Sequence, residues 1–187
     1  MSEQIFGKII QHMIKGLMVH EQMADYYDFL NLQGYKRCHE YHCITEACNY
    51  RKTCRFYINY YNKLVPELPV ENPKVIPNTW YNYTRQEVDT STKRSAVKKG
   101  IETWCDWEKE TKELYEKCYK ELMEAGDIKA AKFVEGLICD VSCELKKVYR
   151  YHLNLKAVDY DIVYIVESQA SKHKKYKKKT EEFTICL

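Results

Sequence analysis

A chain of 187 residues with a formal net charge of +3 is long enough to bury a sizeable core and favours a single domain. Its four prolines and six glycines are few for this length, which disfavours a β-sandwich or a disordered chain and favours a mostly helical protein. No apolar run approaches the ~18 residues that a membrane span needs, and the start of the chain lacks the pattern of a secretory signal. We therefore expect a cytoplasmic protein.

The nine cysteines do not predict a disulfide framework or a zinc site. Their count is odd, no two of them form a C-x-x-C pair, and their spacings follow helical rows. Free cysteine behaves as a small buried hydrophobe. We expect unpaired thiols in a reducing compartment.

The first half of the chain predicts two long helices. Apolar periodicity places the first over about residues 3–31. A short break follows, and Gly34 is the residue that we expect to take a positive φ there, because glycine does so at little cost. The second helix is predicted to run to about Val65, where Pro66 and Pro69 end it.

Residues 66–93 form one long irregular segment that holds all four prolines. A compact domain rarely keeps such a loop, but a four-helix bundle needs one when the connection between its second and third helices runs the length of the bundle. Asp89 begins a group of candidate N-caps for the third helix. Gly126 suits a helix C′ position and Asp127 the next N-cap, which predicts a tight antiparallel turn into the fourth helix.

The fourth helix is predicted to reach about Lys156, and a fifth, shorter helix to cover about residues 159–178. The predicted fold is therefore all-α, with two antiparallel hairpins joined by a long crossover. We place the four-helix bundle at 1–157 and a C-terminal helix with a basic tail at 158–187.

Three of the predicted helices carry an acid in the middle of a row that is otherwise largely apolar or aromatic. These acids are Glu46 on the second helix, Glu108 on the third, and Asp140 and Glu144 on the fourth. A buried carboxylate is costly unless it is paired, hydrogen-bonded or bound to a metal. Because acids that converge from several helices build the dinuclear metal sites of bundles, this pattern predicts such a site.

The stretch 107–147 resembles the ferritin-like superfamily, which includes ferritins and the DNA-protecting mini-ferritins. Its inward Glu108 is followed by a Gly-Asp turn and a phenylalanine, and then by Asp140 and Glu144 with a phase similar to that of ferritin ligands. Residues 29–35 are similar to the turn between the first two helices of mini-ferritins. The resemblance rests on helix order, crossover and the phase of the acids rather than on an invariant string.

Over about residues 5–156, the resemblance implies a dinuclear iron or manganese site that oxidises ferrous iron with oxygen or peroxide. Superfamily members usually carry Glu-x-x-His on the second and fourth helices, whereas this chain has Asn49 and Cys143 at the corresponding histidine positions. From the first helix, either His20 or Glu21 would contribute, and the second helix offers His39 and His42 one to two turns before Glu46. The candidate metal ligands are Glu21, His39, Glu46, Glu108, Asp140 and Glu144, and the candidate electron donors are Tyr50 and Tyr115.

A metal-free bundle is the alternative, because buried tyrosine hydroxyls also satisfy inward acids. Such a protein would bind a protein or nucleic-acid partner, as phage or mobile-element accessory factors do, through the aromatic residues Trp80, Tyr81 and Tyr83 of the crossover and through its basic tail. In either case we expect a homo-oligomer, a dimer or larger. The lysines predicted to make weak nucleic-acid contacts are Lys172, Lys174, Lys175, Lys177, Lys178 and Lys179.

Overall fold

The computed structural model describes residues 2–76, 84 and 88–184, and this part of the chain folds into five α-helices without a β-strand. The first two helices pack against each other, and so do the third and fourth, in the predicted order of two hairpins. The helices are α1 (Ser2–Phe29), α2 (Gln33–Tyr61), α3 (Thr90–Glu124), α4 (Ile128–Ala157) and α5 (Ile162–Thr184).

Two asparagines, rather than the predicted glycine and prolines, lie at the turn of the first hairpin and at the end of its second helix. Asn31 takes the left-handed conformation between α1 and α2 with φ of 57°, whereas Gly34 is buried inside α2. Asn62, with φ of 51°, ends α2 before Val65 is reached. Asparagine tolerates this conformation because its short polar side chain bonds locally. The predictions for Gly34 and for the end of the second helix were therefore wrong.

The predicted turn of the second hairpin is confirmed. Gly126 has φ of 73°, and the Asp127 side chain caps α4 by accepting a hydrogen bond from the Ala130 N–H at 3.2 Å. The hydroxyls of Tyr60 and Tyr61 also donate to Asp127, at 2.7 and 3.2 Å. One side chain thus caps α4 and ties it to the end of α2.

The crossover from α2 towards α3 runs beside α1 and in the same direction. Near its beginning, Leu68 Cδ2 lies 3.7 Å from where a Cβ on Gly7 would stand. Further along, the Val75 N–H donates to Gln22 Oε1 at 3.1 Å. A helix advances about 22 Å between these two points of α1, and the seven-residue step of the crossover covers about the same length when extended. An extended chain is therefore required over this stretch.

Two hydrophobic clusters fill the bundle, one towards each end of its helices. On α3, Trp104 belongs to the first cluster and Tyr115 to the second, and the buried Glu108 and Thr111 lie between them. On α4, Glu144 lies between Val141 of the second cluster and Val148 of the first. We call the intervening level, with Glu46, Glu108, Thr111 and Glu144, the polar layer.

The fifth helix packs mainly along α2 and extends beyond the predicted end at Lys178. Asp161 begins it by accepting hydrogen bonds from the N–H groups of Val163 and Tyr164 at 2.9 and 3.0 Å. Towards its other end, the Tyr176 ring lies 5.5 Å from Tyr41 and 6.4 Å from His42, measured between centroids. This helix therefore covers the outside of α2 beside the polar layer.

None of the eight cysteines in the described part of the chain forms a disulfide, and Cys186 lies outside that part. Among the same residues, no helix is both long and apolar enough to cross a membrane.

Candidate functional site

A cavity of about 300 Å³ opens in the polar layer. It brings together the four inward acids that the sequence singled out, from α2, α3 and α4: Glu46, Glu108, Asp140 and Glu144. Among the other side chains that line it are His42, Asn49, Tyr115, Cys143 and Lys147.

Glu108 is the most deeply buried of the four acids, with 5% of its surface exposed. Burial is the main cause that raises the pKa of Glu108 to about 8, and the nearby Glu46 and Glu144 raise it further. A hydrogen bond of 2.9 Å from the indole N–H of Trp104 to Glu108 Oε1 acts in the opposite direction. The carboxyl is thus fixed in place and holds its proton near neutral pH.

Glu46 and Glu144 are the two acids whose charges disfavour the ionisation of Glu108. Burial, followed by the charge of Glu144, raises the pKa of Glu46 to about 7. Glu144 is partly compensated, because Lys147 Nζ lies 2.6 Å from its Oε1. Asp140 lies at the exposed rim of the same cavity.

The first helix presents a glycine to the polar layer. A Cβ on Gly16 would lie 3.2 Å from the Trp107 ring and 3.6 Å from Glu46 Oε2. Glu21 lies away from the cavity: it is exposed and accepts a hydrogen bond from the Cys43 thiol at 3.4 Å. The structure therefore does not bring the predicted Glu21 together with the other acids.

Three histidines pack around Trp104, the residue that bonds Glu108, and of these His42 rather than the predicted His39 lines the cavity. His20 Nε2 lies 4.0 Å from Glu108 Oε1, and its Nδ1 is 3.0 Å from the Nδ1 of His39. The ring centroids of His20 and His42 are 5.3 Å apart. Trp104 packs against both His39 and His42, at 4.8 and 4.9 Å.

A fourth histidine, His12, bonds to Thr111 of the polar layer. The Thr111 hydroxyl donates its proton to the Trp107 carbonyl at 2.9 Å. His12 Nε2, which lies 2.8 Å from Thr111 Oγ1, is therefore the donor in their hydrogen bond. The His12 ring also stacks on Trp107 with 4.4 Å between centroids. Burial, helped by the charge of Lys15, lowers the pKa of His12 to about 4.

The two predicted electron donors lie in different places. Tyr115 lines the cavity, is 4% exposed, and has its pKa raised well above the ordinary value by burial and by Glu46 and Glu108. Tyr50 is half-buried beside the second hydrophobic cluster, where a hydrogen bond with Cys54 raises its pKa. Only Tyr115 therefore adjoins the carboxylates.

The basic tail makes aromatic contacts within the chain. The Lys179 ammonium lies 4.8 Å from the centroid of the Tyr41 ring and 5.8 Å from that of Tyr176, and Lys175 lies 5.2 Å from that of Tyr176. Lys177 and Lys178 are exposed. The side chains of Lys172 and Lys174, and the aromatic residues Trp80, Tyr81 and Tyr83, lie outside the part that the structure describes.

The donor chemistry of the cavity fits a hard divalent cation. Carboxylate oxygens with few imidazoles suit iron or manganese better than zinc, and a cation stabilises the ionised form of acids whose pKa values are raised by burial and by neighbouring acids. Within residues 2–76, 84 and 88–184, no group of three or more His, Cys, Asp or Glu side chains is arranged to hold a metal ion. Binding would therefore require side chains to turn towards a common point.

Comparison with known proteins supplies structural relatives only. No protein-family profile matches the sequence, and no curated protein sequence matches it. A ferritin from the archaeon Archaeoglobus fulgidus, engineered to a closed form, matches with a TM-score of 0.76 and 14% identity over 92% of this chain and 94% of its own. The open-pore ferritin of the same organism has a TM-score of 0.76 and 13% identity over 92% and 95%.

A humanized archaeal ferritin gives a TM-score of 0.73 at 12% identity, over 92% of this chain and 94% of its own. At these identities the likeness concerns the fold. The chain has a ferritin-like fold, and the predicted all-α four-helix bundle with a further C-terminal helix is confirmed.

The sequence predicted only part of the surroundings of Glu108, since it named His20 as one of two possible ligands from the first helix. The hydrogen bond from Trp104 follows from an i, i+4 spacing that the sequence displays, so that contact was open to prediction. The short distance from His20 to Glu108 and the space beside Gly16 depend instead on the rotation of α1 about its axis. The apolar row of α1 does not predict this rotation precisely enough.

Proposed function

We propose that this protein binds two iron or manganese ions among Glu46, Glu108, Asp140 and Glu144 and oxidises ferrous iron there. The observation that carries the proposal is the convergence of these four acids, from three helices, on one cavity in the middle of a ferritin-like bundle. Bundles with dinuclear carboxylate centres project their ligands inward from facing helices in this way.

In the proposed reaction, ferrous iron is the substrate. Two ferrous ions each give one electron to dioxygen, which takes up two protons and leaves as hydrogen peroxide, and two ferric ions remain. The carboxylates neutralise the charge of the ions and orient them. Glu46 and Glu108 would lose their protons when a cation binds, because metal-bound carboxylates are deprotonated. Tyr115, which lines the cavity, is the candidate donor of the second electron when only one ferrous ion is bound, and its hydroxyl proton then supplies one of the two protons that dioxygen takes up.

The second candidate is a metal-free interaction protein, and the observation that supports an interaction is independent of metal binding. Two pairs of large apolar side chains are exposed near the junction of α4 and α5: Tyr149 and Leu153, and Val163 and Val166. Apolar side chains exposed in groups are typical of interaction sites. We propose self-association through this region, in a dimer or a larger homo-oligomer, whether or not the cavity binds metal.

The metal content of the purified protein tests the leading proposal. We expect protein prepared with ferrous iron or Mn²⁺ to retain close to two ions per chain after desalting. A variant with Glu46→Gln and Glu108→Gln removes two of the carboxylate ligands and is expected to retain less than a tenth of this amount. Ferrous iron oxidation, followed by the absorbance of the ferric product, is expected to fall in parallel.

Glu113→Gln is the matched control, because it removes an exposed acid from the same helix as Glu108. Its metal content and oxidation rate should equal those of the unmodified chain. Wild-type protein without stoichiometric metal, or a double variant that binds as much as wild type, would contradict the proposed function and favour the interaction protein.

A further inference from the structure

Glu108 is the carboxylate shared by two groups of side chains. On one side it interacts with Glu46 and Glu144 of the cavity. It also stands 4.0 Å from His20 Nε2, and His20 is the neighbour of His42, which lines the same cavity. Imidazoles are thus placed beside the carboxylates, although neither occupies a Glu-x-x-His position.

From this juxtaposition, and resting on the proposed metal binding, we infer that His20 and His42 are the imidazole ligands of the site. They would replace the histidines that this chain lacks at Asn49 and Cys143. The ligand set would then draw on α1 through His20, although the polar layer itself meets α1 at Gly16.

The separation of His20 from Glu108 is compatible with a shared ion. Two ligand atoms that are each about 2.1 Å from one metal ion lie at most about 4.2 Å apart. The observed 4.0 Å between His20 Nε2 and Glu108 Oε1 is within this limit and is too long for a hydrogen bond between them. His42 would need to turn its ring towards the same region of the cavity.

His39 holds His20 in the orientation that a ligand requires. The 3.0 Å contact between their Nδ1 atoms contains one proton, because a hydrogen bond needs one donor and one acceptor. When His20 is the donor, its Nε2, which lies 4.0 Å from Glu108 Oε1, keeps a lone pair that can bind a metal ion. Histidines that bind metals commonly donate their other ring N–H in this manner, which fixes both tautomer and ring orientation.

Trp104 restricts the positions of two of the proposed ligands. Trp104 orients the carboxylate partner by its hydrogen bond to Glu108 and packs against the His42 ring. Each proposed ligand therefore has a neighbour that restricts its position.

Pulsed electron paramagnetic resonance of the Mn²⁺-loaded protein distinguishes this inference from the proposed function. We expect couplings from directly bound histidine nitrogen, and we expect them to change from ¹⁴N to ¹⁵N patterns in protein made with ¹⁵N-labelled histidine. This labelling test needs no substitution and therefore does not depend on how a variant folds. His20→Gln and His42→Gln are each expected to remove one coupling and to weaken Mn²⁺ binding at least tenfold.

His12→Gln is the control, since His12 is a buried histidine of the same helix as His20 and bonds to Thr111 instead of facing Glu108. Its nitrogen couplings should match those of wild type. Stoichiometric Mn²⁺ without histidine nitrogen couplings would overturn this inference and leave the carboxylate site standing. A wild-type protein that binds no Mn²⁺ would overturn both.

Discussion

Glu46 and Glu108 are acids whose pKa values rise on folding, to about 7 and about 8. The unfolded chain loses these protons near pH 4.5, whereas the folded chain keeps them to higher pH. Between these values the folded state binds more protons, so the free energy of unfolding falls as pH rises. His12 and His20, whose pKa values are lowered, act in the opposite direction only below about pH 6.5.

We therefore expect metal-free protein to become less stable between pH 6.5 and 8.5, by on the order of 2 kcal/mol. Glu108→Gln should remove most of this dependence, because its side-chain carbonyl still accepts the Trp104 hydrogen bond without carrying a charge. Urea unfolding at several pH values, in the presence of a chelator, measures the free energy of unfolding of the wild type and of this variant. Glu113→Gln should retain the wild-type slope, and a wild-type stability that is constant or rises over this interval would contradict the prediction.

Gly100 gives a second prediction, because side chains of α1 pack directly against α3 at this position. A Cβ there would lie 2.9 Å from Tyr27 Cζ and 3.2 Å from Met23 Cε. Gly100→Ala is expected to destabilise the protein by about 1–3 kcal/mol through overpacking. Adding Tyr27→Phe removes the hydroxyl next to the new methyl group and should recover part of the loss, measured by the urea midpoint.

Gly136 provides the control for that experiment, since a Cβ there would meet nothing within 4 Å. Gly136→Ala should stabilise α4 by up to about 1 kcal/mol through helix propensity alone. A Gly100→Ala variant that is also stabilised would show that α1 and α3 are not packed this closely.

The two hairpins are connected at the ends of their helices. Asp127, at the start of α4, makes one of these connections. It caps α4 and also accepts the hydroxyls of Tyr60 and Tyr61. We expect Asp127→Ala to cost about 2 kcal/mol, more than the ~1 kcal/mol typical of a lost cap alone. Asp89→Ala, which removes a cap that bonds the Thr92 N–H, is the comparison.

Thermal unfolding of both variants gives the measurement. Equal losses of stability in Asp127→Ala and Asp89→Ala would mean that the hydroxyls of Tyr60 and Tyr61 contribute nothing to the stability. Asp127→Asn should keep a capping oxygen and lose less than Asp127→Ala does.

Helix ends were also the least predictable elements. The Gly126–Asp127 turn followed from residue type, because the residues that sequence rules favour at each position are present. Asn31 and Asn62 were missed because asparagine only tolerates the left-handed conformation, and the sequence offered a glycine and prolines nearby as stronger signals. Local preference thus determined the Gly126–Asp127 turn. At the ends of α1 and α2, tertiary packing determined which residue took the left-handed conformation.

At the scale of the whole molecule, the exposed apolar side chains near the junction of α4 and α5 predict self-association. Light scattering in solution is expected to give a mass of at least two chains. Leu153→Glu places a charge within this group and should lower the mass, whereas Leu64→Glu, at an exposed apolar position after α2, should not. A monomer in the unmodified protein would contradict the proposed oligomer.

The sequence by itself determined the number and order of the helices, the long crossover and the level of the acids, because periodicity reports which face of each helix is buried. It led to Glu46, Glu108, Asp140 and Glu144, which do share one cavity. Only the tertiary structure decided that His20 and His42, and not Glu21 or His39, adjoin this cavity or its buried acid. His20 and Glu21 are adjacent and His39 and His42 are three residues apart, so the choice depends on the rotation of each helix about its axis, which is set by the packing of the whole bundle.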